Sequence, residues 1–201
     1  MNKKLLVVLF SNYGAVISLG FYIPIFALYV VKLGGSVRQA GLSTAIYYVL
    51  GGVLMLLFRM LTNNKRARPG YYVVGNALEA VAALLFIMVT SVPQLYVVQL
   101  VHALATAMRV PSQRALYGQY EDKGKEGSQW SIMEGGNYII IGLSAAAGGM
   151  VASVLSFRIV FLVVAGVQII TTLYSLRLYK RPARKGKKAT ALFSPQFSST
   201  K

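Results

Sequence analysis

Hydrophobic positions in this chain are grouped into six long blocks, which short polar or basic segments separate. A helix that crosses a bilayer needs roughly 20 mostly apolar residues. The pattern therefore predicts an all-α membrane protein with one six-helix transmembrane domain over residues 1–178. The predicted spans are residues 5–31, 40–60, 71–90, 94–110, 130–155 and 157–178, and a polybasic tail follows over residues 179–201.

The first block begins in the manner of a signal peptide, with Lys3 and Lys4 before an apolar run. The run continues to Val31, which is longer than the hydrophobic region of a signal peptide. We therefore expect this helix to be retained. A kink is expected at Pro24, because proline removes one helical hydrogen bond.

Composition supports a membrane protein and excludes several classes of function. Charged residues make up 13% of the chain, whereas soluble domains carry roughly 25%. The sequence has no cysteine, one histidine and five acidic residues, which excludes disulfides and leaves little material for a metal cluster or a hydrolytic triad. We expect no enzymatic activity, no metal and no cofactor. A transporter and a membrane assembly protein are the classes that remain.

The distribution of basic residues predicts the orientation of the chain. Of the 21 lysines and arginines, all except Lys32, Arg38 and Arg158 fall on the side of the membrane that holds both predicted termini. Basic residues accumulate on the cytoplasmic side, so we expect a multi-pass cell membrane protein with both termini in the cytoplasm. The basic residues separate spans rather than forming one water-facing surface, so the net charge of +16 does not indicate a nucleic-acid partner. We expect the polybasic tail to contact anionic lipid.

Short motifs in the spans and loops occur in a characteristic order. The first span contains Ser11-Asn12-Tyr13 and is followed by Gly34-Gly35-Ser36. The fourth span leads into Val110-Pro111-Ser112-Gln113-Arg114, and the fifth carries Glu134-Gly135-Gly136-Asn137. In this order and spacing, over about residues 5–180, the chain resembles the amino-terminal half of a transporter of the major facilitator superfamily (MFS).

The resemblance implies a 3+3 helix bundle and a transport function. Facilitators have two six-helix halves that hold the solute between them, and one half alone would leave polar cavity residues in lipid. We therefore expect a homodimer of MFS-like halves that moves a small solute by alternating access. One half of a heterodimeric transporter, and a non-transporting membrane scaffold or accessory subunit, are the alternatives.

Two departures from the family pattern favour the scaffold alternative. In the loop between the second and third helices, Asn63 stands where the family usually has an aspartate, and Arg59 stands where it has a glycine. The conformational latch that the family builds on that carboxylate is therefore expected to be missing. In the fifth helix, Ser144-Ala145 replaces the Gly-Pro pair that antiporters often carry.

Polar residues in two spans share one helix face each. In the fourth span they fall within an arc of about 80°, and in the first within about 40°. The resemblance implies that these two helices line the central cavity, where a positive potential would favour anionic or hydrogen-bonding solutes. His102 could instead satisfy a neighbour in the bundle, and Arg109 could extend to the cytoplasmic surface. The candidate solute-binding residues are Ser18, Tyr22, Gln99, His102, Thr106 and Arg109.

A second set of polar residues is predicted to gate or couple transport. It comprises Glu79 in the third span, Glu134 and Asn137 in the fifth, and Asn63 in the loop. The resemblance places the third span at the periphery, where Glu79 could also have a structural role. Glu134 lies near the cytoplasmic end of its span, where Arg109 or Arg114 could pair with it.

Small residues form rows in the second and fifth spans. Small residues spaced by four allow helices to approach closely in membranes, and the resemblance implies that these two helices join the halves. The candidate dimer-interface residues are Gly51, Gly52, Ser144, Gly148 and Ala152.

Overall fold

The computed structural model describes residues 1–179, and the predicted basic tail lies outside the described residues apart from Tyr179. Over the described range the chain folds into helices without a strand. The helices are α1 (Lys3–Tyr22), α2 (Phe26–Lys32), α3 (Val37–Leu57), α4 (Arg68–Met88), α5 (Val92–Tyr120), α6 (Glu126–Val154) and α7 (Phe157–Ser175), with 3-10 turns at Ile23–Ile25, Phe58–Asn63 and Leu176–Tyr179.

The first predicted span is one kinked helix. The 3-10 turn that contains Pro24 separates α1 from α2, as the missing backbone N–H of proline requires. The chain then turns at Gly34, whose φ of 80° is accessible to glycine at little cost. Ser36 and Gln39 form a capping box at the start of α3, which satisfies backbone donors of the first turn.

Helix α5 is longer than predicted. The apolar pattern placed its end at Val110, but the helix continues through Pro111 to Tyr120. Its extension is held by tertiary contacts, because Leu116 and Tyr117 are fully buried and the Tyr117 hydroxyl donates to the Gln129 carbonyl of α6 at 2.6 Å. The apolar pattern of a single segment does not reveal contacts with a distant segment.

Five stretches of the described chain are long and apolar enough to cross a membrane: Lys3–Lys32, Val37–Met60, Arg68–Met88, Glu126–Val154 and Phe157–Tyr179. Helix α5 is long enough but not among these five, because polar residues interrupt its apolar sequence. Its membrane span therefore stays a prediction. Polar residues within a bundle are normally directed away from lipid, and on α5 Gln99 and Gln113 are buried.

The bundle has an apolar cluster towards each end and a polar layer between them. One cluster joins α2 to α4, α5 and α7 around Phe26, Phe86 and Phe161. The other joins α1 to α4, α5 and α6 around Leu5 and Tyr72. Helices α4 and α5 contribute to both clusters. Since α1 and α7 pack on these two helices and on each other, the residues midway along α1, α4, α5 and α7 are brought together.

Helices α3 and α6 form the least enclosed part of the bundle. In each, 11% of the apolar stretch is buried, against 39–44% in the other three apolar helices or helix pairs. Helix α3 packs mainly on α5, and α6 packs mainly on α1. The opposite faces of α3 and α6 are therefore exposed.

Helices α4 and α5 are in close contact at Gly75. A Cβ at this position would lie 2.7 Å from the backbone nitrogen of Arg109 and 2.8 Å from its Cα. Backbone atoms cannot move aside without separating the two helices. Gly149 on α6, in contrast, has open space where its Cβ would be.

We expect Gly75→Ala to destabilise the protein by about 1–3 kcal/mol, because the added methyl group overpacks a helix contact. Gly149→Ala is the matched control and should be neutral or stabilising, because alanine favours a helix over glycine by about 0.5–1 kcal/mol. Denaturant unfolding in mixed micelles measures both free energies. Equal effects of the two substitutions would contradict the close approach.

Candidate functional site

A cavity of about 220 Å³ lies in the polar layer of the bundle. Helices α1, α3, α4, α5 and α7 contribute to its wall, and it opens beside Tyr48, which is exposed. Five of the six predicted solute-binding residues line it, and Gln99 is the exception. The polar and aromatic lining residues are Ser18, Tyr22, Tyr47, Tyr48, Glu79, Phe86, His102, Thr106, Arg109, Phe161 and Gln168.

The polar end of the cavity is organised around the carboxylate of Glu79 on α4. Its Oε1 accepts hydrogen bonds from Arg109 Nε at 2.7 Å and from Thr106 Oγ1 at 3.1 Å. Its Oε2 accepts from Gln168 Nε2 on α7 at 3.1 Å. Glu79 is 7% exposed and the Arg109 side chain 14% exposed, so the pair is largely shielded from solvent. The face of α4 that carries Glu79 points into the bundle, where the three hydrogen bonds agree with the structural role considered for this residue; a role in gating or coupling stays a prediction.

A tyrosine extends the network to α3. The hydroxyl groups of Tyr47 and Thr106 lie 3.1 Å apart. The Thr106 proton is directed to the carboxylate of Glu79, which can only accept. Tyr47 is therefore the donor to Thr106, and the network joins α3, α4, α5 and α7.

The ion pair changes the expected electrostatics of the site. The sequence predicted a positive potential from Arg109, with Glu134 as its possible partner. In the structure Arg109 pairs with Glu79 instead, and the charges of this pair offset each other. Because the pair has no net charge, this cavity, called the first cavity below, does not favour an anionic solute.

A ring of aromatic side chains forms the opposite end of the cavity. The His102 ring lies 4.5 Å from that of Tyr47 and 6.0 Å from that of Tyr22, measured between centroids. Phe86 stacks on Phe161 at 5.1 Å. The Nδ1 atom of His102 is buried and has no hydrogen-bond partner among the described residues.

Gln99 supports the wall without lining it. Its side-chain nitrogen donates to the Tyr22 hydroxyl at 3.1 Å and to Ser43 Oγ at 3.2 Å, and the residue is 1% exposed. The predicted polar stripe of α5 is therefore divided. Gln99, at the start of the stripe, holds Tyr22 in place, whereas His102, Thr106 and Arg109 line the cavity.

A second cavity, of about 360 Å³, lies between α1, α5 and α6. Arg109 lies in the wall of both cavities. Glu134 and Asn137 line the second cavity, where Asn137 accepts from Asn12 at 2.7 Å and donates to Glu134 at 3.4 Å. Glu134 makes no ion pair with Arg109 or Arg114 in the described chain, and its role in gating stays a prediction.

Asn63 lies outside both cavities. Among residues 1–179, its side-chain nitrogen approaches only the sulfur of Met60, at 3.9 Å. The neighbouring Arg68 holds this loop to α5, since it donates to the Thr62 carbonyl at 2.6 Å and to Gln119 Oε1 at 3.0 Å. A role of Asn63 in gating stays untested.

Most of the small residues predicted for a dimer interface pack within the chain. Gly51 faces the backbone of Ala103, and Gly148 faces the backbone of Phe21. Ser144 contacts Gly20 of α1, and Ala152 packs beside a buried cluster on α7. Only Gly52 has open space beside it. Small residues permit close helix contacts whether the neighbour belongs to the same chain or to another.

Two members of the polar network, Tyr47 and Gln168, were not among the residues predicted from the sequence. Gln168 is an isolated amide in a strongly apolar helix, and a lone amide in such a helix could have indicated a buried polar contact. Tyr47 gave no comparable signal, because tyrosines also occur in ordinary packing. Among residues 1–179 no cluster of three or more histidine, aspartate or glutamate side chains could hold a metal ion.

We expect Arg109→Met to destabilise the protein by about 3–5 kcal/mol, because it leaves a buried carboxylate without its cation. Replacing both charged residues, with Glu79→Met and Arg109→Met, should cost less than Arg109→Met alone, since no unpaired charge remains. Unfolding free energies in mixed micelles measure the effect. Arg114→Met is the control, because Arg114, five residues further along α5, is exposed. If both arginine substitutions cost the same, the ion pair is not stabilising.

Comparison with known proteins agrees with this architecture. The family model of the Major Facilitator Superfamily matches residues 5–200. The chain is also 24% identical over 139 residues to an uncharacterized MFS-type transporter, YitZ, of Bacillus subtilis (strain 168). That alignment covers 69% of this chain and 84% of the relative, which is therefore the shorter of the two. The family model spans nearly the whole sequence, and this integral membrane protein therefore belongs to the Major Facilitator Superfamily of transporters.

Proposed function

We propose that the protein moves a small solute across the cell membrane by alternating access, as a homodimer of six-helix units and without covalent chemistry. The observation that carries this proposal is the network around Glu79 beside a cavity midway through the bundle. Burying a carboxylate and a guanidinium costs several kcal/mol for each ion. Ionisable residues retained inside membrane bundles commonly mark solute or ion pathways.

The position of Arg109 supports a pathway rather than a closed chamber. Its side chain lies in the wall shared by the two cavities. The first cavity is bounded on one side by the apolar cluster around Phe86, and the second reaches Tyr138, which is 78% exposed. A rearrangement of Arg109 would therefore change the connection between the two cavities.

The exposed faces of α3 and α6 support the proposal that a second copy packs against this one. On α3 the exposed face carries Tyr48, which lies at the rim of the first cavity and is 64% exposed. On α6 it carries Tyr138, at the rim of the second cavity. A partner placed against these faces would cover both cavity rims. Ala45 on α3 and Gly142 on α6 are small and exposed on these faces, which allows close helix approach.

The orientation proposed for this dimer places both termini in the cytoplasm. The charge asymmetry of the loops supports it, and the basic tail would then lie near anionic lipid on the same side. Both copies must have the same orientation for a twofold axis along the membrane normal.

A non-transporting scaffold is the second candidate. The observation that favours it is the isolation of Asn63, which has no charged partner within the described residues. A scaffold would retain the helix packing without the need for a solute in the cavity. Transport measurements separate the two candidates.

We expect purified protein in proteoliposomes to take up at least one member of a broad metabolite panel with saturable kinetics. Leu19→Trp should reduce this uptake at least tenfold, because Leu19 lines both cavities and the larger ring would fill them. Leu173→Trp is the matched control, since Leu173 is 61% exposed on the outer face of α7, and it should retain uptake. Equal loss in both variants, or no uptake of any solute, would favour the scaffold.

We expect cross-linking between α3 of one copy and α6 of the other. The sequence contains no cysteine, so chains with Ala45→Cys and Gly142→Cys can be expressed together and treated in membranes with a short bifunctional maleimide. A product of twice the protomer mass is expected. Cysteines at Ile170 and Leu173 on α7 should give no such product. A monomeric mass in membranes, or equal cross-linking at α7, would contradict this interface.

A further inference from the structure

We propose that the first cavity binds a small, neutral, ring-containing solute that carries an N–H or O–H group. The inference rests on the proposed function, because it names the solute class that the transporter would carry. It depends on three features of the cavity: its aromatic end, its charge-balanced polar end and its unused hydrogen-bond acceptor.

The aromatic end selects a flat ring. Rings of Tyr22, Tyr47, Phe86, Phe161 and His102 surround it, with centroid separations between 4.5 and 6.5 Å. Aromatic rings prefer to pack against one another at centroid distances of about 4.5–7 Å. These rings are therefore in contact with one another, and a solute ring in the cavity would pack against the aromatic surface that they form.

The polar end selects a neutral molecule. Both carboxylate oxygens of Glu79 already accept hydrogen bonds, from Arg109, Thr106 and Gln168. A cationic solute would have to compete with Arg109 for the carboxylate, and an anionic one would have to compete with Glu79 for the guanidinium. Either competition leaves a buried charge without its partner, which is costly.

The unused acceptor selects a hydrogen-bond donor. Gln168 is 2% exposed, and its Nε2 is directed to Glu79 because a carboxylate can only accept. Its Oε1 therefore points elsewhere and has no partner in the described chain. Gln168 lines the cavity, and a solute N–H or O–H would satisfy this oxygen. His102 Nδ1, the other unpartnered atom in the wall, adapts to donor or acceptor through its tautomer.

The cavity volume sets the size of the solute. An engineered apolar cavity of about 150 Å³ holds benzene. At about 220 Å³, this cavity accommodates one ring with a small polar substituent. Phenol is therefore the simplest probe, and toluene is a probe of nearly equal size that lacks the donor.

Protection of a single cysteine tests the proposal. Leu19→Cys places a thiol in the wall that the two cavities share, in a sequence that otherwise contains no cysteine. Its labelling rate by a water-soluble thiol reagent is measured with each probe, and the Tyr138→Cys control shows whether a probe acts from the second cavity. We expect phenol to give half-protection at a concentration about tenfold lower than toluene, as the gain of one buried hydrogen bond implies. Benzoate and benzylammonium should protect less well than phenol. Tyr138→Cys, in the second cavity only, should not be protected by phenol.

Two variants assign the discrimination to named atoms. In the Leu19→Cys background, Gln168→Met should remove most of the tenfold preference for phenol over toluene while leaving protection by toluene unchanged. His102→Phe retains the ring and removes the nitrogen, and it should reduce the preference as well. If Gln168→Met does not fold, His102→Phe still tests the donor requirement.

Three results would overturn the inference: equal protection by phenol and toluene, stronger protection by either charged probe, or protection of Tyr138→Cys to the same extent. Protection as expected without uptake of any solute in proteoliposomes would support the cavity's selectivity and count against the transporter. Uptake of a charged solute without protection by phenol would support the transporter and overturn the selectivity.

Discussion

The ion pair between Glu79 and Arg109 lies midway through the bundle, between two apolar clusters, and the surrounding arrangement depends on satisfying it. Desolvating two charges is offset only when geometry is good and further hydrogen bonds complete the site. Here Thr106 and Gln168 complete the carboxylate. The pair therefore constrains α4, α5 and α7 together, because no helix can rotate without leaving a buried charge or amide unpartnered.

The close approach at Gly75 and the ion pair support each other. Gly75 lies one helical turn before Glu79 on α4 and faces the backbone of Arg109. The absence of a side chain there brings α5 near enough for the 2.7 Å contact between Arg109 and Glu79. Apolar clusters on either side then bury the polar layer. A cavity with one polar and one aromatic end follows from this packing rather than from any single motif.

The two cavities connect the proposed assembly with the proposed transport. Arg109 belongs to the walls of both cavities, while Tyr48 and Tyr138 lie at their exposed rims. The faces of α3 and α6 that would meet a partner are the same faces on which these rims open. Assembly and access to solute would therefore be linked, since covering the faces of α3 and α6 encloses the cavities.

The sequence alone determined the helical membrane fold, the kink at Pro24 and the shared face of His102, Thr106 and Arg109, because hydropathy, proline geometry and helical period are local properties. It did not determine which carboxylate Arg109 meets, because Glu79 and Glu134 are equally available by composition and only packing brings one of them within 2.7 Å. Nor could it show that Gly51 and Gly148 pack inside the chain, since a small residue marks a close contact without naming the neighbour. The roles of Tyr47 and Gln168 likewise came from tertiary structure, which decides the partners of each polar group across distant segments.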